Sequence, residues 1–139
     1  MTIYLLIKAI QAFLENELAD DGATVPAVHL GHLPKEPEEP AYPFIIIRPA
    51  EGEGDKDSIK AQIKLLFGTQ AEEGSGLIDL LNLMERVRIL LMRERIIAKQ
   101  FAIDVSWKWK LSEEQPLTEW TGEVTTTWVL PQIRREVEL

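Results

Sequence analysis

Two rows of alternating residues constrain this chain more than anything else in it. Phe101, Ile103, Val105, Trp107, Trp109 and Leu111 alternate with Ala102, Asp104, Ser106, Lys108 and Lys110. After the stretch 112–119, the row Trp120, Gly122, Val124, Thr126, Trp128 and Leu130 alternates again, and Pro131 stops it. A period of two sends one set of side chains to each face of a strand, so the rows predict a long hairpin with one apolar face. Strands of about 11 residues extend roughly 36 Å. An apolar face of that length needs a cover of similar length.

Residues 77–97 read as that cover. Leu77, Leu80, Leu81, Met84, Val87 and Leu91 fall at the three-and-four spacing of a core-facing helix. Ser75 is placed to cap it, Asp79 suits the positive end of its dipole, and Arg93, Arg95 and Lys99 suit the other end. At 1.5 Å per residue the helix spans roughly 35 Å, close to the reach of the hairpin. A second row, Leu83, Leu90 and Ile97, repeats along its flank. Two accounts of that row stand side by side: cover by another helix of the same chain, or an interface with another subunit.

The remaining elements follow in order. Ile3, Leu6, Ile7, Ile10, Phe13, Leu14 and Leu18 describe a first amphipathic helix, with Thr2 as its cap and Asp20-Asp21-Gly22 as its end. Residues 27–33, between Pro26 and Pro34, read as an edge strand, and the Pro- and Glu-rich stretch 34–43 as an extended connector. The run Phe44-Ile45-Ile46-Ile47-Arg48 predicts a strand covered on both faces and closed by Pro49. A mobile acidic loop carrying Glu51, Glu53, Asp55 and Asp57 comes next. Ile59, Ala61, Ile63, Leu65 and Phe67 then alternate with Lys60, Gln62 and Lys64 as a third strand, and Leu66 breaks the pattern. The expectation is one α+β domain over 1–139, in the order α-β-β-β-α-β-β. Its antiparallel or mixed sheet has four to five strands, two helices pack on one face, and 132–139 form a charged tail.

Composition narrows the function classes. A net charge of −8 disfavours a sequence-specific nucleic-acid grip, which needs a basic stripe, and disfavours anionic lipid. The chain has no cysteine, which removes disulfides and thiolate chemistry. Lys8, Glu15 and Glu17 interrupt the apolar pattern of the first helix, unlike a secretory signal, so an intracellular protein without membrane association is expected.

Candidate sites are few. His29 and His32 sit three apart, a spacing that sends them to opposite faces of a strand, so no metal role is assigned. The alternating acids 51–57 lack the glycine position and closing glutamate of a calcium loop. Gly74-Ser75-Gly76 lacks the lysine and the glycine spacing of a phosphate loop, and reads as a hinge or helix cap. Trp107 and Trp109 share a row with Phe101 and Ile103, which predicts core packing for both. No arrangement of nucleophile and base appears, so no catalytic residue, cofactor or enzyme activity is expected.

The order of elements, together with Tyr42-Pro43-Phe44-Ile45-Ile46-Ile47-Arg48-Pro49, the strand 59–68, Gly76-Leu77-Ile78-Asp79-Leu80-Leu81, Trp107-Lys108-Trp109 and Glu123-Val124-Thr125-Thr126-Thr127-Trp128, resembles the tail terminator and tail-completion proteins of long-tailed bacteriophages and prophages. The resemblance spans about 1–131. It implies a small structural subunit that forms a homo-oligomeric ring, commonly a hexamer, in the bacterial cytoplasm and then in the virion tail. Such a ring caps the tail tube, ends tube polymerisation and offers the head-docking surface, so its partners are itself, the tail tube protein and a head–tail connector protein. On this reading Leu83, Leu90 and Ile97 are interface candidates, as are the edge strands and the long hairpin. Glu51, Glu53, Asp55 and Asp57 would line an acidic lumen that repels DNA phosphates. The competing expectation is an acidic adaptor or inhibitor module that binds a basic protein.

Overall fold

The computed structural model describes residues 2–19, 25–35, 41–71, 75–114 and 118–131. Its elements are α1 (Thr2–Ala19), β1 (Ala27–Leu30), β2 (Phe44–Gly54), β3 (Ile59–Gln70), α2 (Gly76–Glu94), β4 (Ile96–Ile97), β5 (Phe101–Leu111) and β6 (Glu119–Leu130). The strands form one six-stranded mixed sheet in the order β1-β2-β3-β6-β5-β4. Among the described residues only the β1–β2 pair is parallel; the 34–43 connector, of which 36–40 lie outside the described residues, stands between the two strands in sequence.

The α+β class and the two helices agree with expectation, and the sheet has one strand more than expected. The additional strand is β4, cut from what the sequence presents as the end of the long helix. Arg95 takes φ 64° and its N–H bonds to Leu91 O, which ends α2 at Glu94. Ile96 and Ile97 then pair with Ala102 and Phe101. Ile97 is therefore a strand residue, and Leu83, Leu90 and Ile97 are not one helical row.

Both helices cover the same face. Along β3 the odd residues Ala61, Ile63, Leu65 and Phe67 are buried, and their partners on β6 include Trp128, Thr126 and Val124. Ile45 and Ile47 of β2 and Ile103 of β5 extend this core. Leu80, Leu83, Met84, Val87 and Leu91 of α2 pack on it, mainly over β3 and β6 rather than along the whole β5–β6 hairpin. At about 1.5–3 kcal/mol for each buried side chain, this stripe alone favours docking by on the order of 10 kcal/mol before entropy is set against it. Leu6, Ile7, Ile10, Leu14 and Leu18 do the same for α1. That helix touches β1 and β2 near one edge of the sheet and β4 at the other, so the sheet curls around the helices as a half-barrel.

Close approaches explain two glycines. Gly76 opens α2 under Trp120, where an added Cβ would lie 2.6 Å from the indole Cδ1, and Thr69 Oγ1 donates to Gly76 O at 2.8 Å. Ser75 occupies the cap position with no side-chain cap bond, so the helix start is fixed by packing more than by capping. Gly68 leaves room for the ring of Phe44, which lies tilted against Tyr42.

Candidate functional site

Pro49 does not close β2. The strand continues to Gly54, with a bulge between Pro49 and Glu51 that leaves Ala50 without a partner. Proline is tolerated there because β1 covers β2 only over residues 44–47, so the missing N–H faces an open edge. The acidic stretch thus runs through an exposed β-hairpin, Glu51 and Glu53 on its first strand and Asp55 and Asp57 in its turn. Glu51 pairs with Gln62, Gly52 with Ala61 and Glu53 with Lys60. At the turn, Asp55 Oδ1 accepts from the N–H of Asp57 at 2.7 Å and of Ser58 at 2.8 Å. These bonds hold the Asp55 carboxyl below its ordinary pKa, the Asp57 N–H contributing most.

The bulge decides which way the acids point. Without the extra residue, 51 and 53 would share the helix-covered face with Ile45 and Ile47. With it, Glu51 and Glu53 join Arg48 on the outer face, and Gly52 and Gly54 take the inner one. Both glutamates are exposed.

The other side of the sheet carries a matching irregularity. Ile103 pairs with Trp128 and Trp107 with Thr126, so β5 spends four steps where β6 spends two. The excess is even, and Trp107, Trp109 and Leu111 keep the inner face while Lys108 and Lys110 keep the outer. The detour lifts Val105 out of the core, 64% exposed, and sets Trp109 opposite Val124, where regular alternation would set it opposite Gly122; there, on the edge strand, Trp109 is 60% exposed. Core packing therefore holds for Trp107, which is partly buried against the core, and fails for Trp109. Trp109 and Trp107 form one wall of a groove of about 570 Å³ whose other wall is Leu81, Asn82, Met84, Glu85 and Arg88 of α2. Leu81, expected in the core stripe, is 41% exposed at this groove. Two bonds from Arg88 to Glu85, at 3.0 and 3.1 Å, hold the rim and keep the Glu85 carboxyl below its ordinary range.

β4 covers β5 only over residues 101–102, and Ile103 N–H reaches Arg95 O just beyond. Among the described residues, β5 pairs with neither neighbour over 104–106 and with β6 alone over 107–111. Among the described residues the sheet thus has two open edge segments: 48–54 of β2, carrying acids, and 104–111 of β5, carrying Lys108 and Lys110. Lys110 also bonds Glu123 at 3.1 Å.

The other sequence-derived candidates lie elsewhere. Leu83 and Ile97 are 4% and 5% exposed within the core, and Leu90 packs partly buried against it. The exposed apolar residues of α2 are Ile78, Leu81 and Ile89. His29 lies on β1, and the His32 ring meets Leu33 O at 2.9 Å. Among the described residues no three His, Asp or Glu gather as a metal site, and no helix is long and apolar enough to cross a membrane. The tail 132–139 lies outside the described residues.

No protein-family model matches the sequence, and no curated protein matches it either. A solved structure that carries no functional description superposes with a TM-score of 0.59 over 97% of this chain and 99% of that one, at 13% identity. At that identity the likeness is one of fold.

Proposed function

We propose that this chain is a structural subunit of a phage tail, assembling with copies of itself into a ring that caps the tail tube, ends its polymerisation and offers the surface on which the head docks. The observation that carries the reading is a groove bearing the exposed Trp109 and Leu81 beside an open stretch of edge strand that also exposes Val105. Exposed apolar patches bordered by a bare sheet edge mark association surfaces, because a monomer that kept them open would aggregate. The order of elements, similar to that of tail terminators, points to which association this is.

The ring's partners on this reading are the tail tube protein and a head–tail connector protein. The deciding experiment is tube capping. Tube protein of the same genome is polymerised alone and with this chain, and tube lengths are measured by electron microscopy. Shortened tubes carrying a ring at one end are expected; a length distribution unmoved by excess chain would overturn the proposal.

The acidic adaptor reading draws on the exposed Glu51 and Glu53. It expects a stable monomer that recovers one basic protein and leaves tube length unchanged.

A further inference from the structure

We infer that the open segment of β2 in one copy pairs, antiparallel, with the open segment of β5 in the next, with Glu51 opposite Lys110, Gly52 opposite Trp109, Glu53 opposite Lys108 and Gly54 opposite Trp107. This rests on the ring reading and names its junction.

The chemistry matches on both faces at once. On the outer face, two glutamates meet two lysines. On the inner face, two glycines, which offer no side chain of their own, meet two indoles, one of them 60% exposed. A glycine in an edge strand leaves room for a cross-strand aromatic to lie over its backbone. The same charges count against the two-fold alternatives. β5 against β5 sets lysines beside lysines, and β2 against β2 sets glutamates beside glutamates, each destabilising. The favoured contact joins two different surfaces, and such a contact propagates into a ring when its rotation closes.

Direction and offset agree. β2 is antiparallel to β3, β3 to β6 and β6 to β5, so β2 and β5 run oppositely in one chain. A copy rotated about an axis near the strand direction presents them antiparallel. Level pairing is blocked, because β1 occupies β2 where Trp109 would sit level with it, at Ile47. Sliding to the proposed register moves the copies by about 14 Å over four strand spacings of ~4.8 Å, a strand tilt of about 36°. Closed sheets tilt by about 35–45°, so the offset is one that a ring accommodates. β1 of one copy and β4 of the other then lie beyond opposite ends of the new pair.

Charge reversal with rescue tests it. The variants K108E/K110E and E51K/E53K each turn the junction repulsive, yet mixed together each supplies the partner that the other lacks. Mass photometry and sedimentation are run on wild type, on each variant and on the mixture, after circular dichroism confirms folding. Expected are a wild-type oligomer, association weakened about a hundredfold in either variant alone, and recovery on mixing. As a readout independent of the charge variants, E53C/K108C in this cysteine-free chain should give an intermolecular ladder on oxidation. An oligomer that survives both reversals and does not cross-link overturns the junction while leaving the ring reading intact. A wild type that stays monomeric and uncrosslinked at every concentration overturns the junction, and tube capping then decides the ring reading separately.

Discussion

The centre of the sheet holds a polar relay whose worth can be stated in advance. Trp128 and Thr126 are both 0% exposed. The Trp128 Nε1–H donates to Thr126 Oγ1 at 2.9 Å, and that hydroxyl donates to Ile63 O at 2.7 Å. Thr126→Val keeps the shape and removes the hydroxyl, leaving a buried indole N–H without its acceptor. An unsatisfied buried donor costs about 1–3 kcal/mol, so a loss near 2 kcal/mol is expected. With a urea slope of about 2 kcal/mol per molar for a chain of this size, the unfolding midpoint should fall by roughly 1 M. Trp128→Phe removes the donor and some volume and should cost about as much. In the double variant no donor is left stranded, so its loss should be smaller than the sum of the two by about 1 kcal/mol. The assay is urea unfolding followed by tryptophan fluorescence, at a concentration low enough to hold the chain monomeric. A Thr126→Val midpoint within about 0.2 M of wild type, or strict additivity in the double variant, would refute the relay as a source of stability.

Three other outcomes follow from the geometry. Gly76→Ala should lose about 1–3 kcal/mol despite its better helix propensity, because its Cβ meets Trp120 at 2.6 Å; an unchanged thermal midpoint would show that the indole moves aside freely. Ala98 and Lys99 both hold left-handed φ, 54° and 60°, in the turn between β4 and β5. Lys99→Gly or Ala98→Asn should therefore each stabilise by about 0.5–1 kcal/mol, and a drop in the urea midpoint would count against that strain. The Asp55 turn should weaken in acid. Its folded pKa is lowered by the Asp57 and Ser58 N–H groups, so its contribution is complete above the usual carboxylate range and is lost as pH falls through the lowered value. Amide chemical shifts of Asp57 and Ser58 should titrate with a midpoint below the ordinary Asp value of about 3.9, and a midpoint at or above it would contradict the bonds.

Much of the fold is legible wherever a period continues without interruption. The alternation in 59–67 and 120–130 gives β3 and β6, and the apolar spacing in 3–18 gives α1, because each pattern is set by one covered face. What escapes is where a pattern changes register. Ile96 and Ile97 continue the apolar rhythm of α2, yet the chain leaves the helix at Arg95, with no glycine to signal it. Pro49 looks like a stop, but an edge position removes the reason for stopping. The candidate surface depends on two bulges, and a bulge has no composition of its own. Glu51 and Glu53 are visible as acids, while their outward aim depends on Ala50; Trp109 is visible as an apolar position, while its place opposite Val124 depends on the detour at 104–106 and its exposure on an edge that β4 leaves open.

Those two bulges differ in parity, which bears on how relatives of this chain can drift in length. The excess in β2 is a single residue, and losing it would exchange glutamates for glycines on the outer face from 51 to 54. The excess in β5 is a pair, so relatives can shed or gain two residues between Ile103 and Trp107 and still present the same side chains outward, whereas a change of one would bury lysines. Homologous sequences aligned over 101–111 should accordingly show insertions and deletions in twos, and those over 44–54 should keep an odd count between their buried isoleucines and their outward acids.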